Sequence, residues 1–361
     1  MKKYVLVINP GSTSTKVAVF EEKNNLVQKN IAHNEEDLKK FKTIPSQFEY
    51  RKNLILEWLD DEGYWLDDFI AVVGRGGLIK PIPSGIYIVT DAMIEDLKAG
   101  VQGQHASNLG GIIAKSIADE HNLPAYIVDP VAVDEFEDIA RISGIKELPR
   151  KSLLHALNVK ATAYRVAKEK GKDLEDLKMV VAHLGGGISI VPLKNGRMID
   201  ANNANEMGPF SPERAGSLPS SALAKLCFSG KYKSFEEFKP LIRGKGGLSN
   251  YLGTNDLREA EKMMKDNDYA GLIVDAMAYQ IAKEIGAMAT VLEGEVDYIV
   301  LTGGMAYSEY LTEKISKSVK FIAPVLIEAG EDEMEALNEG VIRILNGEKV
   351  KIYEEEFFKT R

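Results

Sequence analysis

Short apolar runs that end at glycine-rich turns are the most regular feature of the chain. At its start, the runs 5–8 (VLVI) and 17–20 (VAVF) flank the turn NPGSTSTK. Apolar, β-branched runs bounded by glycine and proline are typical of a β-hairpin buried on a sheet. The turn is predicted to present free N–H groups at Gly11 and Ser12, four hydroxyl side chains and the cation Lys16, which suits a phosphate. An ordinary polar turn has the same composition, so this stretch alone leaves both interpretations open.

The same pattern occurs again in the second half of the chain. Residues 180–203 (VVAHLGGGISIVPLKNGRMIDANN) give an apolar strand, a glycine turn and another apolar strand, followed by an Asn-Gly turn where the first copy has Asn-Asn. Two copies of one strand–turn–strand unit predict a duplicated architecture with a cleft between the copies. A third glycine turn follows the run 298–302 (YIVLT), and three such turns around one cleft would suit a nucleotide with its phosphates.

Apolar residues at helical spacing predict the helices that accompany these strands. A surface helix is predicted in the charged segment 34–62, and His33 before it is expected to be solvated. The segment 152–170 is predicted to be a helix that stops at a glycine and carries His155 in its first turn. The segment 269–292 is predicted to form core helices through its apolar stripe, which consists of Leu272, Ile273, Met277, Ile281 and Ile285.

Composition limits the class of protein. The chain has 361 residues, 45% of them hydrophobic, which favours two domains over one. A net charge of −9 argues against nucleic acid or an anionic membrane as the main partner. No secretory segment or bilayer-spanning stretch is evident, so we expect a cytoplasmic protein. The single cysteine, Cys227, excludes an internal disulfide and is predicted to pack within the apolar run 222–228.

Several charged residues stand at positions from which a side chain can reach a ligand. Arg75 lies between glycines at the end of the predicted strand 69–73, although a surface arginine in a flexible turn is an equal interpretation. Asp129 follows a predicted parallel strand, and open α/β sheets bind ligands at that end of their strands. Arg214 lies in a long loop between Pro212 and Gly216. Arg258 falls in the first turn of a predicted helix, capped by its neighbour Asn255, where a cation suggests a bound anion.

The order of these motifs resembles the acetate kinase family, a branch of the actin, sugar kinase and Hsp70 superfamily. The motifs NPGSTSTK, GRGG, HLGGG, ERAGS, NDLR and TGGM occur in the family's order and span essentially the whole chain. The chain has VVGRGG, SLLHALN and HLGGG where acetate kinases usually carry VVHGG, FHGTSH and HLGNG. These departures make it most similar to the members that phosphorylate butanoate.

The resemblance implies an α/β fold with two duplicated ribonuclease H-like (actin-like ATPase) domains, each a mixed sheet flanked by helices. We expect residues 1–150 with about 340–361 to form the carboxylate-side domain, and residues 151–339 to form the nucleotide-side domain. The break between them is predicted near residues 148–150 (LPR). Members of the family form dimers, so we expect a homo-oligomer built from dimers.

The resemblance also implies transfer of the ATP γ-phosphoryl group to the carboxylate of a short-chain acid, with Mg²⁺ as the metal. The catalytic residues it implies are Arg214, His155, Arg75 and Asp129. The first phosphate motif is matched by Asn9, Ser12, Ser14 and Lys16. The second phosphate hairpin and the adenosine contacts are matched by His183, Gly185, Gly186, Gly187, Asp256, Leu257, Arg258, Gly303, Gly304 and Met305. Carboxylates near the metal are Glu331, Glu333 and, through water, Asp129.

The acyl pocket is expected to involve Leu154 and His105. Acetate kinases carry an aromatic residue just before the histidine that is His155 here, and the smaller Leu154 would leave room for a four-carbon or branched chain. Propionate, branched-chain acid and acetate phosphorylation are the nearest alternatives. A different class of protein, an actin-like or Hsp70-like ATP-switched binding protein, would not need His155, Arg214 and Arg75 at the γ-phosphate.

Overall fold

The computed structural model describes residues 3–356, with the side chain of Glu356 left aside. The chain divides into two compact units, one formed by residues 1–134 with 332–361 and the other by residues 135–331. Each unit is a sheet with helices packed on it, which confirms the predicted α/β fold class. Within the described residues, no helix is long and apolar enough to cross a membrane.

The first unit is built on one mixed sheet, with strands in the order β12-β5-β6-β4-β1-β2-β3. Strands β1 and β2 are antiparallel, and β1 and β4 are parallel. The strands are β1 (Tyr4–Pro10), β2 (Ser14–Glu21), β3 (Asn24–Ala32), β4 (Phe69–Arg75), β5 (Ile86–Ile88), β6 (Ala125–Val128) and β12 (Lys351–Ile352). The helices are α1 (Glu35–Leu38), α2 (Phe48–Asp61), α3 (Asp91–Ala99), α4 (Asn108–Glu120), α12 (Glu333–Leu345) and α13 (Tyr353–Glu356).

The second unit is built on a smaller mixed sheet, with strands in the order β11-β10-β7-β8-β9. Strands β7 and β8 are antiparallel, and β10 is parallel to β7. The strands are β7 (Met179–Leu184), β8 (Ile188–Lys194), β9 (Arg197–Met198), β10 (Tyr298–Gly303) and β11 (Val325–Ala329). The helices are α5 (Ala156–Glu169), α6 (Ser220–Cys227), α7 (Phe235–Ile242), α8 (Gly247–Leu252), α9 (Leu257–Met263), α10 (Asp268–Val291) and α11 (Glu309–Val319).

The repeated glycine hairpins are present where the apolar pattern predicts them. Strands β1, β2 and β3 form the first meander, β7, β8 and β9 form the second, and β10 ends at the third glycine turn. The inner strands are almost entirely buried; Val7 and Val181, for example, have no exposed surface. Such runs are typical of strands covered on both faces.

The unit boundaries differ from the predicted ones at both crossings. The segment 148–150 lies within the second unit, where Arg150 pairs with Asp200 at 2.7 Å and donates to the carbonyl oxygen of Ala201. At the return crossing, the whole of α12 belongs to the first unit, because it packs on β1, β4 and β6. The proline and arginine of segment 148–150 therefore do not mark the boundary between the two units.

Three predictions about burial are wrong. His33 is 6% exposed rather than solvated, because α2 and β2 cover it. Cys227 is exposed, since α6 has no fully buried residue and its apolar run is covered only in part. Segment 269–292 is a single helix, α10, and Leu272 lies on its outer side at 63% exposure, while Ile273, Met277, Ile281 and Ile285 are in the core as predicted.

Candidate active site

The β1–β2 turn of the first unit holds the first predicted phosphate motif. Asn9 and Lys16 are cross-strand partners at the mouth of the hairpin, and Ser12 and Ser14 lie in and after the turn. The expected free N–H group of Gly11 is not free, because it donates to the carbonyl oxygen of Ser14 at 2.8 Å. The donors of this turn must therefore come from the residues after Gly11.

Asn9, Arg75 and Glu333 form one polar cluster in the first unit. Arg75, the last residue of β4, pairs with Glu333 at the start of α12. Asn9 donates to the other carboxylate oxygen of Glu333 at 2.6 Å. Arg75 therefore has its guanidinium already directed at a carboxylate. The guanidinium of an arginine can bind a carboxylate in a planar, two-point manner.

Asp129 is fixed in an unusual backbone conformation at the end of β6. Its φ is 38°, in the left-handed region that only a minority of non-glycine residues adopt. The carboxylate accepts from the hydroxyl of Ser84 at 2.7 Å and from the N–H of Gly85 at 2.8 Å, and Arg343 lies 4.0 Å away. These contacts set the direction of the Asp129 side chain.

His105 lies in the first unit, in the loop before α4, and its ring is held locally. The Nδ1 atom of His105 accepts from the N–H of Ser107 at 3.2 Å and lies 2.9 Å from the Ser107 hydroxyl. Ser107, the residue before α4, therefore orients His105 and makes no side-chain capping hydrogen bond to the helix.

A line of polar residues crosses the β7–β8 hairpin of the second unit. The rings of His155 and His183 are stacked, with their centroids 4.0 Å apart. His155 Nδ1 lies 2.9 Å from the hydroxyl of Ser189 on β8, and His183 Nδ1 lies 2.8 Å from the amide oxygen of Asn158. His183 Nε2 faces the carboxylate of Glu331 at 3.3 Å. His183 is thus held at both ring nitrogens, and His155 is held by Ser189 and by the stacking.

His155 does not lie in the first turn of a helix, as predicted, but is the residue before α5. Residues 151–155 are irregular, and Leu154 is buried immediately before His155. From this non-helical position the side chain of His155 reaches Ser189 on β8. The helix dipole still favours an anion near this position.

Arg214 lies against the glycine turn of the same hairpin. A Cβ atom added to Gly187 would lie 2.1 Å from Arg214 Nη1, so only a glycine leaves room for the guanidinium there. The loop that carries Arg214 is anchored to the turn, because Ser211 donates to the carbonyl oxygen of Gly186 at 2.6 Å. Gly187 and Ser189 are two residues apart, so Arg214 and His155 lie at the same end of β8.

The charge of Arg214 is largely removed from water. Burial, together with the neighbouring cation Arg243, lowers the pKa of Arg214 to about 10. The group is still protonated at neutral pH. A buried guanidinium interacts more strongly with an anion than an exposed one does, because the surrounding dielectric is lower.

A cavity of about 700 Å³ opens within the second unit and brings the predicted adenosine residues together. Gly303, at the end of β10, has a φ of 91°. A Cβ atom added to Gly303 would lie 2.4 Å from the carbonyl oxygen of Leu184. The glycine turn after β10 therefore lies directly against the glycine turn between β7 and β8. Gly304 continues this turn and lines the cavity. The other predicted residues that line it are Gly185, Gly186, Asp256, Leu257, Arg258, Met305 and Glu331.

The helix α9 at the cavity begins one residue later than predicted. Asp256, not Asn255, is its N-cap and accepts from the N–H of Arg258 at 2.9 Å. The Arg258 side chain also pairs with Asp256 at 2.6 Å, which lowers the pKa of Asp256 to about 2. The anion that the position of Arg258 suggested is therefore the Asp256 carboxylate itself.

Sequence reasoning missed Ser189, Asn158 and Arg51. Ser189 is a polar residue within the buried apolar strand β8, and that contrast was the available signal. Asn158 is buried on α5 and supports His183. Arg51 lies in the charged segment before β4, where an arginine gives no sign that it is buried.

Residues 146–352, more than half of the chain, match the model of the Acetokinase family. The chain is 55% identical to "Probable butyrate kinase 2" of Caldanaerobacter subterraneus subsp. tengcongensis, over 97% of this chain and 99% of that one. It is also 55% identical to "Butyrate kinase 2" of Clostridium acetobutylicum, over 97% of this chain and 98% of that one.

Among solved structures, the crystal structure of Porphyromonas gingivalis acetate kinase matches with a TM-score of 0.77 at 20% identity, covering 95% of this chain and 100% of the other. That similarity confirms the predicted fold. The resemblance of the ordered motifs is confirmed by the curated relatives over nearly the whole chain. The protein is a member of the acetokinase family.

Proposed function

We propose that this protein transfers the γ-phosphoryl group of ATP to the carboxylate of butanoate, giving butanoyl phosphate and ADP. The observation that carries the proposal is the placing of Arg214 and His155 at one end of β8, beside the glycine turn that also lines the cavity of the second unit. The curated relatives support the choice of butanoate, because both carry butyrate kinase in their names.

The chemistry requires positioning and charge stabilisation rather than a strong base. A carboxylic acid is already ionised at neutral pH, so its oxygen can attack the γ-phosphorus directly. The new carboxylate O–P bond forms as the bond between that phosphorus and the β–γ bridging oxygen breaks, and ADP leaves with the electron pair. Negative charge on the equatorial oxygens of the transferred group is the feature that the protein must stabilise.

The residues in the second unit suit that task. Arg214 would donate to the transferred phosphoryl group, and the buried surroundings would strengthen this interaction. His155, fixed by Ser189 and stacked on His183, would contact the same group without moving during the reaction. In the first unit, Arg75 would bind the carboxylate of the acid and Asp129 would orient the reactants. Of these roles, that of Arg214 is tested by the Arg214→Gln and Gly187→Ala variants.

Mg²⁺ is the metal we propose to accompany ATP. Within residues 3–356, no three or more His, Cys, Asp or Glu side chains gather to hold a metal ion by themselves. Magnesium bound to a nucleotide needs only one or two protein carboxylates, because phosphates and water supply the rest. Glu331, which lines the cavity and faces His183 at 3.3 Å, is the carboxylate we propose for this role, together with Glu333 and, through water, Asp129. The ion would neutralise charge on the phosphates.

A dimer and a cytoplasmic location are further parts of the proposal. Tyr269, Leu272 and Tyr279 are 51%, 63% and 65% exposed and follow one another along α10 at helical spacing, which would suit an interface with a second copy. Light scattering on the purified protein would test the dimer. A monomer at micromolar concentration would contradict it.

A hydroxamate assay with ATP, Mg²⁺ and straight-chain acids of two to five carbons tests the choice of acid. We expect the highest kcat/KM for butanoate, with acetate lower by roughly tenfold because each buried CH₂ contributes about 0.8 kcal/mol. Isobutanoate distinguishes a branched-chain preference. A maximum at acetate or propionate would replace butanoate by that acid and leave the phosphoryl transfer intact.

Leu154→Phe tests whether this buried residue sets the length of the acid. The larger ring should occupy space that the end of the butanoate chain needs, so the butanoate-to-acetate ratio of kcat/KM should fall about tenfold. Leu153→Phe is the matched control, because Leu153 is adjacent and only half-buried. An unchanged ratio in soluble Leu154→Phe protein would remove Leu154 from the acyl pocket.

A further inference from the structure

Arg51 is buried directly beneath the β1–β2 turn. It projects from α2 with 1% of its surface exposed. Its Nη1 atom donates to the carbonyl oxygens of Gly11 at 2.8 Å and Ser14 at 3.2 Å, and its Nη2 atom donates to the carbonyl oxygen of Ser12 at 3.2 Å. One guanidinium thus holds three carbonyl groups of the predicted phosphate turn.

Arg51 has no carboxylate partner within the described residues. Its other acceptors are neutral, namely the amide oxygen of Gln47 at 2.8 Å and the hydroxyl of Thr15 at 3.1 Å. Burial lowers the pKa of Arg51 to about 10, and the group remains charged at neutral pH. A buried cation without a counter-charge is costly, so its presence here calls for an explanation beyond packing.

The groups next to the Arg51 guanidinium, Thr15 and His33, add no second charge to this cluster. Arg51 can only donate, so the hydroxyl oxygen of Thr15 accepts from it, and the same oxygen lies 2.8 Å from His33 Nε2. Burial, and then the nearby Arg51, lower the pKa of His33 to about 4, so His33 is neutral at pH 7. The cluster therefore carries one positive charge, located on the guanidinium.

The hydrogen bonds of Arg51 also fix which way the turn's N–H groups point. In a trans peptide the C=O of one residue and the N–H of the next point in opposite directions. Because the carbonyl oxygens of Gly11 and Ser12 point inwards at Arg51, the N–H groups of Ser12 and Thr13 point outwards. Both residues are exposed. Successive N–H groups presented in this way form an anion-binding site.

We propose that Arg51 is a positioning residue for nucleotide binding: it directs the N–H groups of Ser12 and Thr13 at a phosphate of ATP, whose negative charge compensates the buried guanidinium. The inference rests on the proposed function, because it takes ATP as the ligand. It adds a residue that does not itself contact the nucleotide, and it explains why a turn of small hydroxyl residues needs an arginine from a helix about forty residues later in the chain.

Arg51→Gln is the first test, with Lys52→Gln as its matched control. Lys52 is the next residue of α2, is 7% exposed and is also cationic, but it pairs with Glu120 and Ser116 on α4 instead of the turn. We expect Arg51→Gln to raise the KM for ATP by about tenfold to about a hundredfold while the KM for butanoate changes less than about twofold. Lys52→Gln should leave both values within about twofold of the wild type.

Calorimetric titration with ATP in the absence of acid separates this inference from the proposed function. The wild type should bind ATP, and Arg51→Gln should bind it at least about tenfold more weakly, whether or not acyl phosphate is formed. Arg51→Lys, which restores the charge, should recover part of the loss. Equal ATP affinity in the wild type and Arg51→Gln, or no recovery in Arg51→Lys, would overturn the role assigned to Arg51.

Gln47→Leu keeps the test decisive if Arg51→Gln fails to fold. The Gln47 amide oxygen accepts from Nε and Nη2 of Arg51, at 3.2 and 2.8 Å, and its loss would loosen the guanidinium without touching the turn. We expect a severalfold weaker affinity for ATP and an unchanged KM for butanoate. ATP affinity equal to that of the wild type in folded Gln47→Leu protein would contradict the inference.

Discussion

Replacing Arg214 by glutamine is expected to lower kcat for butanoate phosphorylation by about a hundredfold to a thousandfold. In the proposed mechanism the substitution would remove one preorganised, half-buried donor from the transferred phosphoryl group, and the loss of such a donor costs about 3–4 kcal/mol in the transition state. The KM for ATP should change by no more than about threefold, since the cavity of the second unit is lined by other residues. Steady-state kinetics with ATP and butanoate varied separately measure both effects.

Arg243→Gln is the matched control for Arg214→Gln. Arg243 is paired with Arg214 through the backbone but its side chain is exposed, so kcat should stay within about threefold of the wild type. Equal losses in the two variants would mean that general positive charge is needed rather than the half-buried guanidinium of Arg214. A kcat near the wild-type value in Arg214→Gln would exclude Arg214 from the reaction.

Gly187→Ala is expected to lower kcat by about tenfold to a hundredfold without removing any functional group. The new methyl would lie 2.1 Å from Arg214 Nη1, so the guanidinium has to move, and a displacement of about 1 Å can cost about a hundredfold in rate. The measurement is kcat at saturating ATP and butanoate, with the melting temperature recorded to show that the variant is folded.

Gly186→Ala separates this displacement from a general intolerance of the turn. A Cβ at Gly186 has Glu213 Oε2 at 3.6 Å as its nearest contact, an ordinary van der Waals distance, so only a small loss is expected. A larger effect at Gly186 than at Gly187 would show that contact with Arg214 is not the reason why Gly187 lacks a side chain.

The hairpins and their glycine turns could be predicted because their signal is local. Apolar runs such as VLVI and VVAHL contain enough β-branched residues to specify strands, and the glycines mark the turns. The same local pattern placed Gly187 and Gly303 in turns of the second unit. It could not show that Gly187 lies against Arg214, because that contact depends on how a loop more than twenty residues later folds back.

Burial of polar residues was the least predictable property. Arg51 and His33 come from a charged stretch of sequence, and only the packing of α2 on the first hairpin places them in the interior. The opposite error occurred at Cys227, where an apolar run lies on a helix that has no buried residue. In both cases the missing information was the tertiary partner, which a single sequence does not specify.

The partners of the predicted site residues also depend on the fold. Arg75 and Glu333 are 258 residues apart in the chain, yet they form an ion pair that Asn9 completes. The resemblance to the family indicated all three residues, but it gave no sign that they contact one another. The contact arises because α12 returns to pack on the strands β1 and β4.

Phosphorus NMR on a reaction of the purified protein with ATP, Mg²⁺ and butanoate labelled with ¹⁸O in its carboxylate tests whether the phosphoryl group is transferred to the carboxylate oxygen. We predict an acyl phosphate resonance with the isotope shift of a bridging ¹⁸O, formed in equal amount with ADP. Label appearing in AMP, or ADP formed at the same rate without acid and without acyl phosphate, would contradict the account.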